Sequence, residues 1–134
     1  MKSAVACTAL AIGIVAAASF LRLADLANRP MHCDEAVHGI KFGKLLEQAD
    51  YVYDPREYHG PSLNYLTLPV AIGLGRSSIV DVTESDLRLV PAIAGIAIVA
   101  LTWLLRIELS VPVALSAMVL TAVSTAMVFY SRYY

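Results

Sequence analysis

Residues 4–21 read AVACTALAIGIVAAASFL. Nothing in this run carries a charge, and its length is about what an α-helix needs to cross a bilayer. Two further runs share its character. Residues 87–105, LRLVPAIAGIAIVALTWLL, are interrupted only by Arg88 near the start and by Pro91 in the expected first turn. Residues 111–130, VPVALSAMVLTAVSTAMVFY, open with Pro112 where helices tolerate proline. The three runs predict an all-α integral membrane protein with spans over about 4–27, 87–105 and 111–130. Gly95 and the scattered Ala, Ser and Thr residues give these helices small faces suited to close packing in lipid. The linker 106–110 is short enough to force an antiparallel hairpin.

Composition points the same way. The 134 residues are 58% hydrophobic and 16% charged, against roughly 25% charged in soluble domains. A soluble domain of this length could not bury so much apolar surface. The net charge of −1 gives no electrostatic reason to expect nucleic acid. Cys7 and Cys33 would lie about 40 Å apart if the first run is helical, too far for a disulfide.

The first run has a second reading. Lys2, an apolar core and Ala16-Ala17-Ala18-Ser19 resemble a signal peptide with a small-residue cleavage site. The run continues through Phe20, Leu21 and Leu23, longer than a typical signal core, which favours a retained helix.

The window 28–86 differs from its flanks. It holds all three histidines, nine of the eleven acidic residues and four of the six prolines. Within it, 61–74 is apolar, too short to span and contains Pro69, so it reads as an interfacial or re-entrant helix. Tyr51, Tyr53, Tyr58 and Tyr65 surround it, as headgroup-level aromatics do. Arg29, Lys41, Lys44, Arg56 and Arg76 would put this loop in the cytoplasm by the positive-inside count.

Chemistry concentrates at His32-Cys33-Asp34-Glu35-Ala36-Val37-His38. A helix starting at Asp34 and running to Glu47 would set Asp34, Glu35 and His38 on one face. A carboxylate there can be a general base or help hold a divalent metal. The plainer reading is that Asp34 caps the helix and Glu35 complements its dipole. His32-x-x-Glu35-x-x-His38 is not the spacing of a zinc protease. Tyr58-His59-Gly60-Pro61 and Asp54-Pro55 read as turns, or His59 as a phosphate contact at the head of the interfacial helix. Arg88 can snorkel or grip a lipid phosphate. Tyr130-Ser131-Arg132-Tyr133 is by itself an interfacial anchor.

Taken in order, a first span, Arg29-Pro30-Met31-His32-x-Asp34-Glu35-Ala36-Val37-His38, Tyr53-Asp54-Pro55, Tyr58-His59-Gly60-Pro61, Leu87-Arg88-Leu89-Val90-Pro91-Ala92 and Tyr130-Ser131-Arg132-Tyr133 resemble the start of the GT-C membrane glycosyltransferases that use dolichyl- or undecaprenyl-phosphate sugars. The broad relatives are the protein O-mannosyltransferases and the lipid A aminoarabinose transferase. The nearest branch is the archaeal and bacterial one described as flippase-activity-associated, or family-39-like. Singly the motifs are weak; their order over 28–134 is fairly specific. Cys33 stands where the resemblance leads one to expect histidine.

The resemblance implies a multi-pass protein of the cell or inner membrane whose loop 28–86 is extracytoplasmic and carries interfacial helices. It implies transfer of a sugar from a polyprenyl-phosphate donor to a protein, lipid or glycan acceptor, with Asp34 as general base and Glu35 beside it. His38, His59, Arg88 and Arg132 become substrate-binding candidates, His59 and Arg88 toward the donor phosphate. Some relatives use a divalent metal, for which Asp34, Glu35 and His38 are the candidate ligands. The resemblance covers about the first quarter of such enzymes, so these residues alone are expected not to catalyse transfer. The competing class is a non-catalytic membrane or flippase-associated scaffold, which would be indifferent to Asp34→Asn.

Overall fold

The computed structural model describes residues 2–57 and 60–134, and every regular element among them is helical. Two compact units result. One comprises the residues up to Ala24 together with Ala92–Arg132; the other comprises Asp25–Pro91 and Tyr133–Tyr134.

The first unit is built from apolar helices. Helix α1 covers Lys2–Leu23. Glu84–Thr102 forms α4, which begins in the second unit and continues here into a 3-10 turn over Trp103–Ile107. Two stretches, Ala4–Leu23 and Glu84–Ile107, are long and apolar enough to cross a membrane. Only 17% of the most apolar window of each is buried, so most of that surface faces outward and not into a protein core. The second span starts at Glu84, earlier than its apolar run, because Thr83 and Asp86 cap one another. The Thr83 hydroxyl accepts the Asp86 N–H at 3.2 Å and the Asp86 carboxylate accepts the Thr83 N–H at 3.0 Å.

The third expected span, 111–130, is not one helix. Helix α5 covers Val111–Val123 and α6 covers Thr125–Tyr130, with Ser124 between them at φ −55°, ψ 118°. Ser124 Oγ caps the new helix by accepting the Met127 N–H at 3.5 Å. A break strands carbonyls that would have found partners one turn on, and in an apolar setting each needs a replacement. Arg22, at the end of α1 and fully buried, supplies it. Its Nη2 donates to Thr121 O and its Nη1 to Ala122 O, both at 3.1 Å. Nη1 also reaches Ala18 O, and Nε reaches Ser131 Oγ, each at 3.3 Å. Gly95 is required beside them, since a Cβ there would collide with the Ser131 side chain. Elsewhere in this unit Ala11, Ile14 and Ala18 of α1 pack with Met118 and Ala122 of α5 and with Val99, the alanines allowing close approach.

The polar window is a folded unit. Helix α2 spans Cys33–Gln48 and α3 spans Ser62–Gly73, with 3-10 turns at Pro55–Glu57 and Ile79–Asp81. Phe42, Ala71, Leu87 and Tyr134 form its core, flanked by Leu46, Leu63, Leu68, Ile79 and Val82. Gly43 lets the Ile79–Asp81 turn approach α2, because a Cβ would sit 3.0 Å from Ile79. Glu47 fixes the same turn by accepting the Ser78 hydroxyl at 2.6 Å and the Ile79 N–H at 2.8 Å.

Candidate functional site: a divided acidic pair

The cap of α2 is His32, not Asp34. The His32 backbone is extended at φ −76°, ψ 157°, and its Nδ1 accepts the Asp34 N–H at 3.3 Å. Glu35 returns the arrangement by accepting the His32 N–H at 3.0 Å. With the cap supplied one turn-start earlier, the Asp34 carboxylate is released from helix capping.

The two acids then part. Glu35 points inward and is fully buried. Its Oε1 accepts Arg88 Nε at 2.9 Å and the Tyr134 N–H at 3.0 Å. Its Oε2 accepts Arg88 Nη2, Arg29 Nη2 and the His32 N–H, each at 3.0 Å. Arg88, itself buried, spends its remaining arm on Leu26 O at 2.7 Å and Arg29 O at 3.0 Å. Burial would raise the Glu35 pKa, but the hydrogen bonds from Arg88, His32 and Tyr134, with the Arg88 charge, outweigh it and hold the group at about 2. One carboxylate thus ties the 25–29 segment, α2, the start of α4 and residues 133–134 to one point.

Asp34 points outward, its side chain 56% exposed. Around it stand His32 Nδ1 at 3.5 Å, Cys33 Sγ at 3.7 Å and the Tyr133 hydroxyl, which donates at 3.3 Å. The same hydroxyl lies 2.7 Å from His32 Nδ1, and the Arg29 guanidinium sits 5.1 Å over the Tyr133 ring. Burial and the neighbouring Asp34 charge push the Tyr133 hydroxyl pKa up, so it stays a donor.

The expected common face of Asp34, Glu35 and His38 does not form. His38 is buried on the Glu35 side, edge-on to Tyr134 at 6.1 Å between ring centroids. Asp34 is exposed, while Glu35 and His38 are buried. These three cannot share a metal, because the Glu35 oxygens already accept five N–H groups. Among the described residues, ligand atoms converge instead at His32, Cys33 and Asp34.

The cations expected at the donor phosphate have other occupations. Arg88 holds Glu35. Arg132 caps α1, with Nη2 donating to Ala24 O at 2.7 Å and Nη1 to Leu21 O at 3.3 Å. His59 lies outside the described residues. Sequence reasoning did not find Arg29, Tyr133 or Tyr134 as site residues; tyrosines near a span end read as interface anchors, and no local pattern links them to a residue about a hundred positions away.

No family model, curated protein or solved structure matches this chain.

Proposed function

We propose that the chain contributes the acceptor-activating loop of a membrane glycosyltransferase of the polyprenyl-phosphate-sugar type, with three membrane passes and the loop on the extracytoplasmic side. The observation that carries this reading is the division of Asp34 from Glu35. A buried, five-fold bonded Glu35 anchors the first turn of α2 and leaves the adjacent Asp34 carboxylate at the surface, its side chain 56% exposed. A helix needing only a cap and a favourable dipole has no use for such an anchor.

In the reaction, Asp34 accepts the proton of an acceptor hydroxyl. The oxygen attacks the anomeric carbon, the bond from that carbon to the phosphate oxygen breaks with inversion, and the electron pair leaves on polyprenyl phosphate. The Tyr133 hydroxyl beside Asp34 marks where an acceptor hydroxyl would approach. Arg88 serves as a positioning residue through Glu35, and the donor phosphate falls to His59.

The test places Asp34→Asn at the chromosomal locus and measures sugar transfer from a polyprenyl-phosphate donor in isolated membranes. Transfer should fall by about 10² or more, the usual loss for a positioned base, at unchanged protein level. Transfer at the wild-type rate in the Asn variant would leave a scaffold as the better reading.

A further inference from the structure

Three consecutive side chains at the start of α2 are exposed, chemically different and convergent. Cys33 Sγ lies 3.5 Å from His32 Nδ1 and 3.7 Å from an Asp34 oxygen, and His32 Nδ1 lies 3.5 Å from the other Asp34 oxygen. We propose that His32, Cys33 and Asp34 form a binding site for a thiophilic divalent cation of the zinc class.

The distances carry the inference. A tetrahedral zinc ion with bonds of about 2.0–2.3 Å to nitrogen, oxygen and sulfur needs its ligand atoms roughly 3.3–3.6 Å apart. Cys33 Sγ to His32 Nδ1 and His32 Nδ1 to one Asp34 oxygen fall within that range at 3.5 Å, while Cys33 Sγ meets the other Asp34 oxygen at 3.7 Å. One ligand atom from each residue lies within 4.8 Å of the others, so a turn of the Asp34 carboxylate brings a single oxygen toward the ion. The local backbone makes this possible. His32 is extended while Cys33 and Asp34 begin the helix, so the chain turns around the point where the three side chains meet.

Ligand chemistry narrows the ion. A thiolate with an imidazole selects zinc-class cations over magnesium or calcium, which take oxygen ligands. A helix N-terminus repels cations, and here the thiolate and carboxylate together neutralise a divalent charge. Ligation through His32 Nδ1 takes the lone pair that now accepts the Asp34 N–H and faces the Tyr133 hydroxyl, so the ion replaces the His32 side-chain cap of α2 and the Tyr133 hydroxyl passes wholly to the Asp34 carboxylate. Binding does not depend on the transfer reaction. Its consequence does: an ion on Asp34 occupies the lone pair a base needs, so zinc would inhibit transfer.

Cobalt(II) is the probe, added to the purified chain in lipid nanodiscs. A single equivalent should bind with a thiolate-to-cobalt charge-transfer band, be displaced by zinc and resist magnesium. Cys7→Ser should leave the band and Cys33→Ser should remove it. His32→Asn keeps a capping side chain and should weaken binding at least tenfold, the loss expected even for an outer-shell partner. Circular dichroism confirms that each variant keeps its helices. A folded wild-type chain without the band, a band lost with Cys7 and not Cys33, or unchanged affinity in His32→Asn would each overturn the site.

Discussion

Asp34 and Glu35 carry the same functional group on adjacent residues, and their surroundings give them opposite tasks. Removing the Glu35 charge leaves Arg88 buried beside a neutral partner, so Glu35→Gln should cost about 3–5 kcal/mol, read as a lowered thermal midpoint in detergent. Because its folded pKa of about 2 lies below the ordinary 4.5, the pair's contribution is full above the unfolded value. It is lost as pH falls from about 4.5 through 2, and acid titration of unfolding should show the loss in that window. Asp34 behaves differently. Since His32 is the cap, Asp34→Asn and Asp34→Ala should be equally stable and equally inactive. An Ala variant markedly less stable than the Asn variant would return Asp34 to a capping role. The position of the acidic pair was legible in the sequence; its division was not. Which of two neighbours turns inward depends on Arg88 and Tyr134, 53 and 99 residues away.

At the scale of elements, apolar runs located α1, α3 and the second candidate span within a few residues, and the acidic start at Asp34-Glu35 located α2. The same signals made 111–130 one span, because Ser and Thr in an apolar run do not by themselves announce a break. What permits the break at Ser124 is Arg22, contributed by another helix. Arg22→Met should therefore leave the Thr121 and Ala122 carbonyls without donors, costing roughly 1–3 kcal/mol each by the usual penalty for buried unpaired groups. Gly95→Ala should act on the same joint by overpacking, at about 1–3 kcal/mol. Both are read by thermal unfolding, and Gly73→Ala, which meets nothing within 4 Å, is the control.

For the whole molecule, the two stretches long and apolar enough to cross a membrane are legible in composition alone, while sidedness is not. The positive-inside count places the 28–86 loop in the cytoplasm, and the proposed reaction needs it outside. Val52 is well exposed, so Val52→Cys in a Cys7→Ser, Cys33→Ser background gives a single reporter. A membrane-impermeant maleimide should label it in intact cells. Labelling only after permeabilisation would sink the extracytoplasmic assignment and the proposed reaction with it.

The bonding of Glu35 also sets a clock on synthesis. Arg29 and the His32 amide are at hand almost as soon as Glu35 leaves the ribosome. At roughly 5–20 residues per second, Arg88 follows by about 3–10 s and the Tyr134 amide by about 5–20 s. For that interval the nascent loop holds a half-satisfied carboxylate that keeps its charge best in water. Ribosomes stalled with only 132 residues emerged should carry a protease-sensitive loop, and release of two more residues should protect it.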